Sequence, residues 1–312
     1  MKCSVLMPVY NAGAPLRTAI ESILTQDEPD FEFLIIDDAS RDASAEVIRE
    51  YAARDRRIRP IFHRANRGLA ATLNEGLEEC GSELVIRMDQ DDESLPSRID
   101  TQTRFLEPRG DVAVAGSFVY HMGKRPEYDR MVTMPTEHEE ITRALLDGNC
   151  IYHPSVILRK SKILALGGYR PEFKNAEDYD LWMRTGRIYR LANIPVPLLR
   201  YRFSTTGMTL SQKWQQMFWV QMAAISHRAP DQSHEQLLQA ATEAMQRLDK
   251  EWFLQQVAMG TIDELTRLRL WRDAIKVFLL FSRELGPGRN FGIARHVAAS
   301  TCSALLRDHR LP

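Results

Sequence analysis

Short, continuously apolar segments alternate with segments of helical spacing over residues 1–110, and this alternation constrains the fold more than any other feature. An apolar segment without a polar face must be covered on both sides, which is typical of a parallel sheet between two layers of helices. The intervening segments carry apolar stripes, such as Leu69, Leu73 and Leu77, as amphipathic helices do. The predicted strands are 4–9, 33–36, 58–62 and 84–86, and the predicted helices are 16–24, 45–53 and 69–79.

The pattern changes after residue 110. Shorter predicted strands are mixed with helices and glycine- and proline-rich loops, at 112–115, 155–158, 188–192 and 198–201. From about residue 210 the spacing is almost wholly helical, with predicted helices at 214–225, 234–248 and 265–285. We therefore predict an α/β domain over 1–209, with halves at 1–110 and 111–209, followed by an all-α appendage over 210–312.

Composition and charge exclude several classes of protein. The 312 residues are 44% hydrophobic and 27% charged, as in ordinary globular proteins, and the net charge of −1 gives no general attraction to nucleic acid. No apolar segment approaches the ~18 residues of a membrane-spanning helix, and the apolar start before Pro8 is too short for a signal peptide. The four cysteines are scattered, which favours buried free thiols over disulfides. These features predict a cytoplasmic location.

Acidic residues directly follow two of the predicted strands. Asp37 and Asp38 follow the second strand, and Asp89, Asp91 and Asp92 follow the fourth. Ligands of such sheets bind beyond the carboxyl ends of the strands, where the first pair can accept hydrogen bonds from a ribose or a base. Three aspartates within four residues repel one another unless a cation or hydrogen-bond donors offset their charge, and Mg²⁺ prefers such oxygens together with substrate phosphates. The alternatives are a solvated turn for the first pair and a surface loop with a helix cap for the second group.

A third acidic group lies at the start of a predicted short helix over 175–184, for which Asn175 is the predicted N-cap. Asp178 then lies in the first turn, where the helix dipole favours the ionised form of an acid. A carboxylate that stays deprotonated can take a proton from a substrate hydroxyl, so Asp178 is a candidate base. The alternative is the ordinary enrichment of acids in first turns.

Five motifs occur in order along residues 2–203. They are Met7-Pro8-Val9-Tyr10-Asn11, Ile36-Asp37-Asp38-Ala39-Ser40, Asn66-Arg67-Gly68-Leu69-Ala70 with Asn74-Glu75-Gly76, Met88-Asp89-Gln90-Asp91-Asp92, and Ala176-Glu177-Asp178-Tyr179-Asp180-Leu181-Trp182. Each motif alone is weak, but the combination resembles the family 2 glycosyltransferases with the GT-A fold. The resemblance implies a Rossmann-like mixed sheet flanked by helices, as in transferases that use nucleotide-diphospho-sugars.

The resemblance also implies which residues bind the donor. The nucleotide contacts are Pro8, Val9, Tyr10, Asn11, Asp37 or Asp38, Arg67 and Asp89. Asp89 and Asp91 are the implied D-x-D pair, which meets the ribose and a Mn²⁺ or Mg²⁺ ion bridged to the diphosphate.

On the acceptor side, the resemblance implies that Asp178 is the general base of an inverting transfer. His153, Glu177 and Trp182 are assigned to the same side. His153 lies where a loop leads into a strand, and a structural histidine is its alternative role. For Trp182 the alternatives are a place in the core and a platform on which a sugar stacks.

The implied function is the transfer of one sugar, from a UDP- or dTDP-sugar, to a hydroxyl of a glycan or lipid-linked acceptor in surface polysaccharide biosynthesis. The Tyr-Arg-x-His stretch of many members is replaced by Tyr201-Arg202-Phe203-Ser204, which puts a histidine contact to metal or phosphate in doubt. The Gln-x-x-Arg-Trp motif and membrane spans of processive synthases are missing, which favours single-sugar addition. The other hypotheses are a sugar-nucleotide pyrophosphorylase, whose charged phosphate loop the sequence lacks, and a catalytically silent nucleotide- or glycan-binding subunit.

The last part of the chain is basic. From Glu264 onward, nine lysines and arginines face four acids. Apolar residues recur there at helical spacing, at Leu268, Trp271, Ile275, Phe278 and Leu279. Such a helix can lie on an anionic membrane surface, which suits a lipid-linked acceptor. Alternatively, the apolar stripe packs on the rest of the protein or on a second subunit of a homodimer.

Overall fold

The computed structural model describes residues 1–202, 210–229, 231–270, 273–275, 277 and 279. They form two compact units. The first comprises Met1–Tyr120 and Met131–Arg202, and the second comprises His121–Arg130 together with the described residues from 210 onward. The chain therefore leaves the first unit after Tyr120 and returns to it at Met131.

Strands and helices alternate along residues 1–202. The strands are β1 (Cys3–Val9), β2 (Phe31–Asp37), β3 (Ile58–Phe62), β4 (Leu84–Arg87), β5 (Glu93–Ser94), β6 (Val112–His121), β7 (Arg130–Val132), β8 (Ile157–Arg159) and β9 (Arg190–Tyr201). The helices are α1 (Pro15–Leu24), α2 (Ser44–Arg54), α3 (Leu69–Glu79), α4 (Arg98–Leu106), α5 (His138–Ala144), α6 (Lys160–Ala165) and α7 (Glu177–Ile188).

The described strands form one mixed sheet. Its order is β3-β2-β1-β4-β8-β6-β9-β5, with β7 paired to β6. The first four strands in this order are parallel, whereas β8 runs antiparallel to both β4 and β6. The register pairs Val9 with Asp37, so β1 and β2 end side by side. A mixed sheet flanked by helices confirms the predicted α/β class.

The central strands are buried on both faces, as their continuous apolar sequence predicts. All seven residues of β1 and six of the seven residues of β2 are buried. Helix α3 packs directly on β1, because a Cβ atom at Gly76 would overlap the side chain of Leu6. A larger residue at this position would force the buried Leu6 side chain to move, so glycine suits the close approach of helix to strand.

Several element predictions between residues 111 and 203 are wrong. The two strands predicted at 188–192 and 198–201 are one strand, β9, and Ile188 instead ends α7. Pro195 and Pro197 interrupt the apolar pattern, but β5 pairs with β9 only at Leu199 and Arg200, so the prolines face no β5 partner. β6 is longer than predicted and continues to His121, and β5 was not predicted.

In the second unit, the described residues after 202 form the helices α8 (Leu210–Arg228), α9 (His234–Gln246) and α10 (Lys250–Arg267). This confirms the predicted helical character, but the helix predicted at 265–285 is interrupted, because residues 268–270 are not helical whereas residues 273–275, 277 and 279 are. α10 begins earlier and ends at Arg267, two residues before Arg269 adopts φ 61°. No described helix is both long and apolar enough to cross a membrane.

The predicted basic amphipathic helix falls partly on residues outside the described ones, which include Trp271 and Phe278. Its membrane or dimer contact stays a prediction.

Glu264 on α10 holds the segment His121–Arg130 within the second unit. Its carboxylate lies 2.6 Å from His121 Nδ1 and accepts a hydrogen bond of 2.8 Å from Arg130 Nη2. The backbone N–H of Lys124 also donates to Leu268 O at 2.9 Å. These contacts explain why the ten residues from the last of β6 to the first of β7 belong to the helical unit.

Candidate functional site

The loops that follow β1, β2 and β4 lie side by side, because these strands are neighbours in the sheet. Gln90 joins two of them: Tyr10 N donates to Gln90 Oε1 at 2.7 Å, and Gln90 Nε2 donates to Tyr10 O at 3.2 Å. Asn11 joins the β1 loop to the β2 loop, since Asn11 N donates to Ser40 Oγ at 2.9 Å and Arg41 N donates to Asn11 Oδ1 at 2.8 Å. The three loops therefore form one connected rim at the carboxyl edge of the sheet.

The predicted nucleotide residues of the first motif differ in exposure. Pro8 and Val9 are buried within β1, whereas the side chain of Tyr10 is 42% exposed on the rim. Asn11 has a left-handed backbone with φ 50°, which turns the chain from β1 toward α1. Tyr10 and Asn11 thus present side chains at the rim, and Pro8 and Val9 do not.

Asp38 organises the loop that carries Arg67. Its Oδ1 accepts a hydrogen bond of 2.8 Å from Arg67 N and lies 2.7 Å from His63 Nδ1. Its Oδ2 accepts a hydrogen bond of 2.8 Å from Gly68 N, at the start of α3. A carboxylate oxygen can accept two hydrogen bonds, and from the described residues Asp38 Oδ2 receives only the one from Gly68 N.

Asp37 and Arg67 lie next to the hydrogen bonds that Asp38 makes. Asp37 Oδ2 accepts a hydrogen bond of 3.2 Å from Ser40 N, while its buried Oδ1 has no hydrogen-bond partner among the described residues. The guanidinium of Arg67 is about half exposed and forms an ion pair with Glu75, which also contacts His63 at 3.1 Å. The structure thus places Arg67 in contact with Asp38, which belongs to a separate motif.

The loop after β4 carries three aspartates in different surroundings. Asp89 is partly exposed, and its Oδ2 lies 2.5 Å from Nη1 of the buried Arg87. Asp92 is buried; its Oδ1 accepts a hydrogen bond of 2.7 Å from Arg202 N, and its Oδ2 has no partner among the described residues. The side chain of Arg202 donates to Asp91 O at 2.8 Å. The end of β9 therefore holds the acidic loop from one side.

Burial and mutual repulsion raise the pKa of two of these acids. For Asp91, burial raises the pKa first and the charge of Asp89 adds to it. For Asp92, burial together with the charges of Asp89 and Asp91 raises the pKa well above its usual range. The described residues contain no group of three carboxylate, imidazole or thiol side chains gathered as metal ligands. The aspartates of this loop thus repel one another, and Asp91 and Asp92 keep their protons to a higher pH than exposed aspartates do.

Arg98, which belongs to none of the five motifs, holds the end of β4 that leads into the acidic loop. Its Nη2 donates to Arg87 O and to Pro154 O, both at 2.7 Å, and its Nη1 donates to Ser94 Oγ at 3.0 Å. Its Nε donates to Gln102 Oε1 at 3.0 Å. Because the side chain is completely buried, its pKa falls to about 9. Arg98 therefore ties the end of β4 to the turn before β8 through neutral acceptors.

Asp178 lies in the first turn of α7, but two predictions about it are wrong. Asn175 is not the N-cap, because it adopts φ 58° and Ala176 occupies the cap position without a side-chain hydrogen bond. The pKa of Asp178 is raised, because burial outweighs the hydrogen bonds that favour its ionised form. Asn149 Nδ2 donates to Asp178 Oδ2 at 2.8 Å, and Tyr179 N donates to Oδ1 at 2.7 Å. The carboxylate is thereby fixed in orientation while it remains basic.

Glu177, directly before Asp178, is only 7% exposed. Burial and the charge of Asp178 raise its pKa to about 7. The pair therefore carries less than two full negative charges near neutral pH.

His153 and Trp182 are core residues in this structure. His153 Nε2 lies 2.9 Å from the hydroxyl of Tyr169, and its ring meets the ring of Trp182 edge-on at 5.8 Å between centroids. Burial, with a contribution from Arg87, lowers the pKa of His153 well below its usual range. Trp182 is completely buried. Their geometry is that of packing groups beneath the site, which is the alternative role given to each above.

The Gly167-Gly168 turn is braced by a residue of the third motif. Both glycines have left-handed backbones, with φ 81° and 66°. Asn74 Nδ2 donates to Tyr169 O at 2.7 Å, and Tyr169 N donates to Asn74 Oδ1 at 2.8 Å. A Cβ atom at Gly168 would overlap Asn74 Oδ1, so the turn requires glycine. Asn74 thus joins α3 to the segment before α7.

Comparison with known sequences gives a consistent result. The profile of glycosyl transferase family 2 matches residues 4–166, which is more than half of the chain. The chain is 32% identical over 182 residues to the O-antigen biosynthesis glycosyltransferase WbnJ of Escherichia coli, which covers 58% of this chain and 70% of WbnJ. It spans about two thirds of the length of several curated relatives that it matches.

Two solved structures are similar over nearly the whole chain. TarS 1–349 of S. aureus in complex with UDP has a TM-score of 0.57 at 19% identity, covering 97% of this chain and 89% of that one. The mannosyltransferase PcManGT of Pyrobaculum calidifontis, in complex with GDP-Man and Mn²⁺, has a TM-score of 0.57 at 17% identity, covering 99% and 87%. At this identity the likeness concerns the fold, and it confirms the predicted GT-A fold with C-terminal helices.

Proposed function

The chain belongs to glycosyl transferase family 2, and we propose that it moves a single sugar from a nucleotide-diphosphate donor to a hydroxyl group of a glycan or lipid-linked acceptor. The observation that carries this proposal is the connected rim of the β1, β2 and β4 loops, where Gln90 and Asn11 join three loops into one surface. Residues of three separate motifs meet there, and all of them lie within the span that matches the family.

The rim offers a set of contacts for a nucleotide. Tyr10 provides an exposed ring, Asn11 and Asp37 provide polar groups, and Asp38 keeps one accepting position on Oδ2 for a base or ribose donor. Arg67, held at the rim by Asp38 through its backbone N–H, provides a cation for the base or the phosphates. A nucleoside diphosphate likewise combines a flat base, a polar ribose and charged phosphates, so a ring, polar groups and a cation suit it.

The acidic loop suits a divalent cation. Carboxylate oxygens are hard ligands, and the charges of Asp89 and Asp91 act together on their neighbour Asp92 and raise its pKa, a mutual repulsion that a bound cation would relieve. We assign the ion to Asp89 and Asp91, where Mn²⁺ or Mg²⁺ would offset the charge that develops on the leaving diphosphate. PcManGT, with Mn²⁺ in its complex, supports this assignment.

Asp178 is the proposed base. Its raised pKa makes it a stronger proton acceptor than an exposed aspartate, and Asn149 fixes the orientation of its carboxylate. As the acceptor oxygen bonds to the anomeric carbon and the bond to the diphosphate breaks, the hydroxyl proton passes to Asp178. Attack from the face opposite the leaving group inverts the anomeric configuration, through a transition state with oxocarbenium character.

For the donor we propose a UDP- or dTDP-sugar, a choice that TarS in complex with UDP supports and PcManGT with GDP-Man does not. For the acceptor we propose a hydroxyl in surface polysaccharide biosynthesis, following the O-antigen role in the name of WbnJ. A lipid-linked acceptor would bring the protein to the cytoplasmic face of a membrane, where the basic residues after Glu264 favour an anionic surface.

A thermal-shift screen of UDP, dTDP, GDP and ADP, with and without Mn²⁺, tests the donor and the metal together, because a ligand stabilises the state that it binds. We expect UDP or dTDP to give the largest shift and to require Mn²⁺ for it. In Asp89→Asn the Mn²⁺-dependent part of the shift should disappear, whereas the exposed substitution Glu172→Gln should leave it unchanged. Nucleotide binding without transfer to any acceptor would favour the silent binding subunit instead.

A further inference from the structure

Arg87, the last residue of β4, is a buried cation to which the proposed reaction gives no role. Its side chain is 2% exposed and its Nη1 lies 2.5 Å from Asp89 Oδ2. Its Nε is buried and has no hydrogen-bond partner in the described part of the chain. A guanidinium held in the interior with one carboxylate contact and an unpaired donor is costly unless its charge is needed.

The second buried arginine of the region makes a useful contrast. Arg98 donates hydrogen bonds to backbone carbonyls and to the side chains of Ser94 and Gln102, all of which are neutral. Arg98 therefore acts through hydrogen bonds that fix the backbone. Arg87 contacts a predicted metal-binding carboxylate instead, so its effect on the site is one of charge.

The charge of Arg87 acts on both acidic groups of the site. Burial raises the pKa of Asp91, Glu177 and Asp178, and in each case the charge of Arg87 lowers it in part.

We propose that Arg87 is a built-in counter-cation of Asp89, which makes the binding of a divalent cation conditional on the nucleoside diphosphate. This inference rests on the proposed function. The Oδ2 of Asp89 is directed at Arg87, so a divalent cation that binds Asp89 alone meets a fixed positive charge nearby. The diphosphate brings negative charge that offsets this repulsion. Cation and nucleotide then strengthen each other's binding, and the coupling is the same in both directions.

The coupling can be measured from free Mn²⁺ by electron paramagnetic resonance, in titrations with and without UDP. In the wild-type protein we expect Mn²⁺ to bind at least about tenfold more tightly when UDP is present, which corresponds to ~1.4 kcal/mol. In Arg87→Met we expect Mn²⁺ alone to bind about tenfold more tightly than in the wild type, because the repelling charge is gone. The factor by which UDP improves Mn²⁺ binding should fall correspondingly.

Two further variants serve as controls. Arg87→Lys keeps the charge and should keep the coupling. Arg57→Met removes an arginine that pairs with Asp55 at 2.7 Å before β3, at the opposite end of the strands, and should behave as the wild type. Circular dichroism shows whether each variant is folded.

Unchanged binding of Mn²⁺ alone in folded Arg87→Met would overturn the inference while leaving the proposed function intact. If that variant does not fold, the wild type still decides, because equal Mn²⁺ affinities with and without UDP contradict conditional binding. A wild-type protein that binds neither UDP nor Mn²⁺ contradicts the proposed function itself, and the inference with it.

Discussion

The site contains two consecutive acidic pairs, Asp37-Asp38 at the end of β2 and Glu177-Asp178 at the start of α7, and they are held in different ways. The first pair accepts main-chain N–H groups from Ser40, Arg67 and Gly68, which come from two loops at the carboxyl edge. Asp178 accepts its own following N–H group and one side-chain amide. The first pair therefore fixes the backbone around it, whereas burial determines the pKa values of the second pair.

This difference fits the two proposed roles, nucleotide binding for the first pair and proton transfer for the second. Main-chain donors stabilise a carboxylate as an anion and make it a fixed acceptor. Burial with few donors does the reverse, and it raises the pKa of Glu177 to about 7 and that of Asp178 above its usual range. Similar acidic dipeptides are thus held by main-chain donors in one place and by burial in the other, which suits the proposed nucleotide contact and the proposed proton acceptor respectively.

The largest expected effect is on turnover in Asp178→Asn. An asparagine keeps the hydrogen bond from Tyr179 N but cannot take the acceptor proton, so we expect kcat to fall by about 10²–10⁴-fold. Nucleotide affinity should stay close to that of the wild type. In the wild type, activity should fall as the pH drops through the raised pKa of Asp178, and this acidic limb should vanish in the variant. A variant with wild-type turnover would assign the proton to another group.

A smaller effect concerns stability and pH in Glu177→Gln. The folded state holds the Glu177 proton up to about pH 7, whereas the unfolded chain releases it near pH 4.5. The folded wild-type protein therefore loses stability as the pH rises through this window. Glutamine has no such loss. We therefore expect urea unfolding to show the variant gaining about 2–3 kcal/mol relative to the wild type between pH 5 and pH 8.

Glu172→Gln, which changes an exposed acid just before α7, is the matched control and should show no such gain. A difference between Glu177→Gln and the wild type that does not vary with pH would show that the Glu177 carboxyl is not held protonated.

The sequence predicted the donor side better than the acceptor side, and the reason is physical. Buried parallel strands have continuously apolar sequences, so the predicted bounds of β1 to β4 agree with the structure within about two residues. The loops after such strands must meet at one edge of the sheet. The roles of Arg98 and Asn149 depend on contacts with distant segments, such as that of Arg98 with Pro154. No local pattern encodes these contacts, and the burial that raises the pKa of Asp178 is likewise set by tertiary packing.

The smallest effect distinguishes the two members of the first pair. In Asp38→Asn, an amide N–H₂ replaces one of two oxygens that each accept a backbone N–H, from Arg67 or from Gly68. The new amide then faces a backbone N–H, donor against donor. We expect this to lower the free energy of unfolding, measured with urea, by about 1–3 kcal/mol and to weaken nucleotide binding as well. Asp37→Asn should cost less, because its amide can be placed at the Oδ1 position, which receives no hydrogen bond from the described residues, and the bond from Ser40 N is kept. If Asp37→Asn proved the more destabilising of the two, main-chain bonding would not be what fixes this pair.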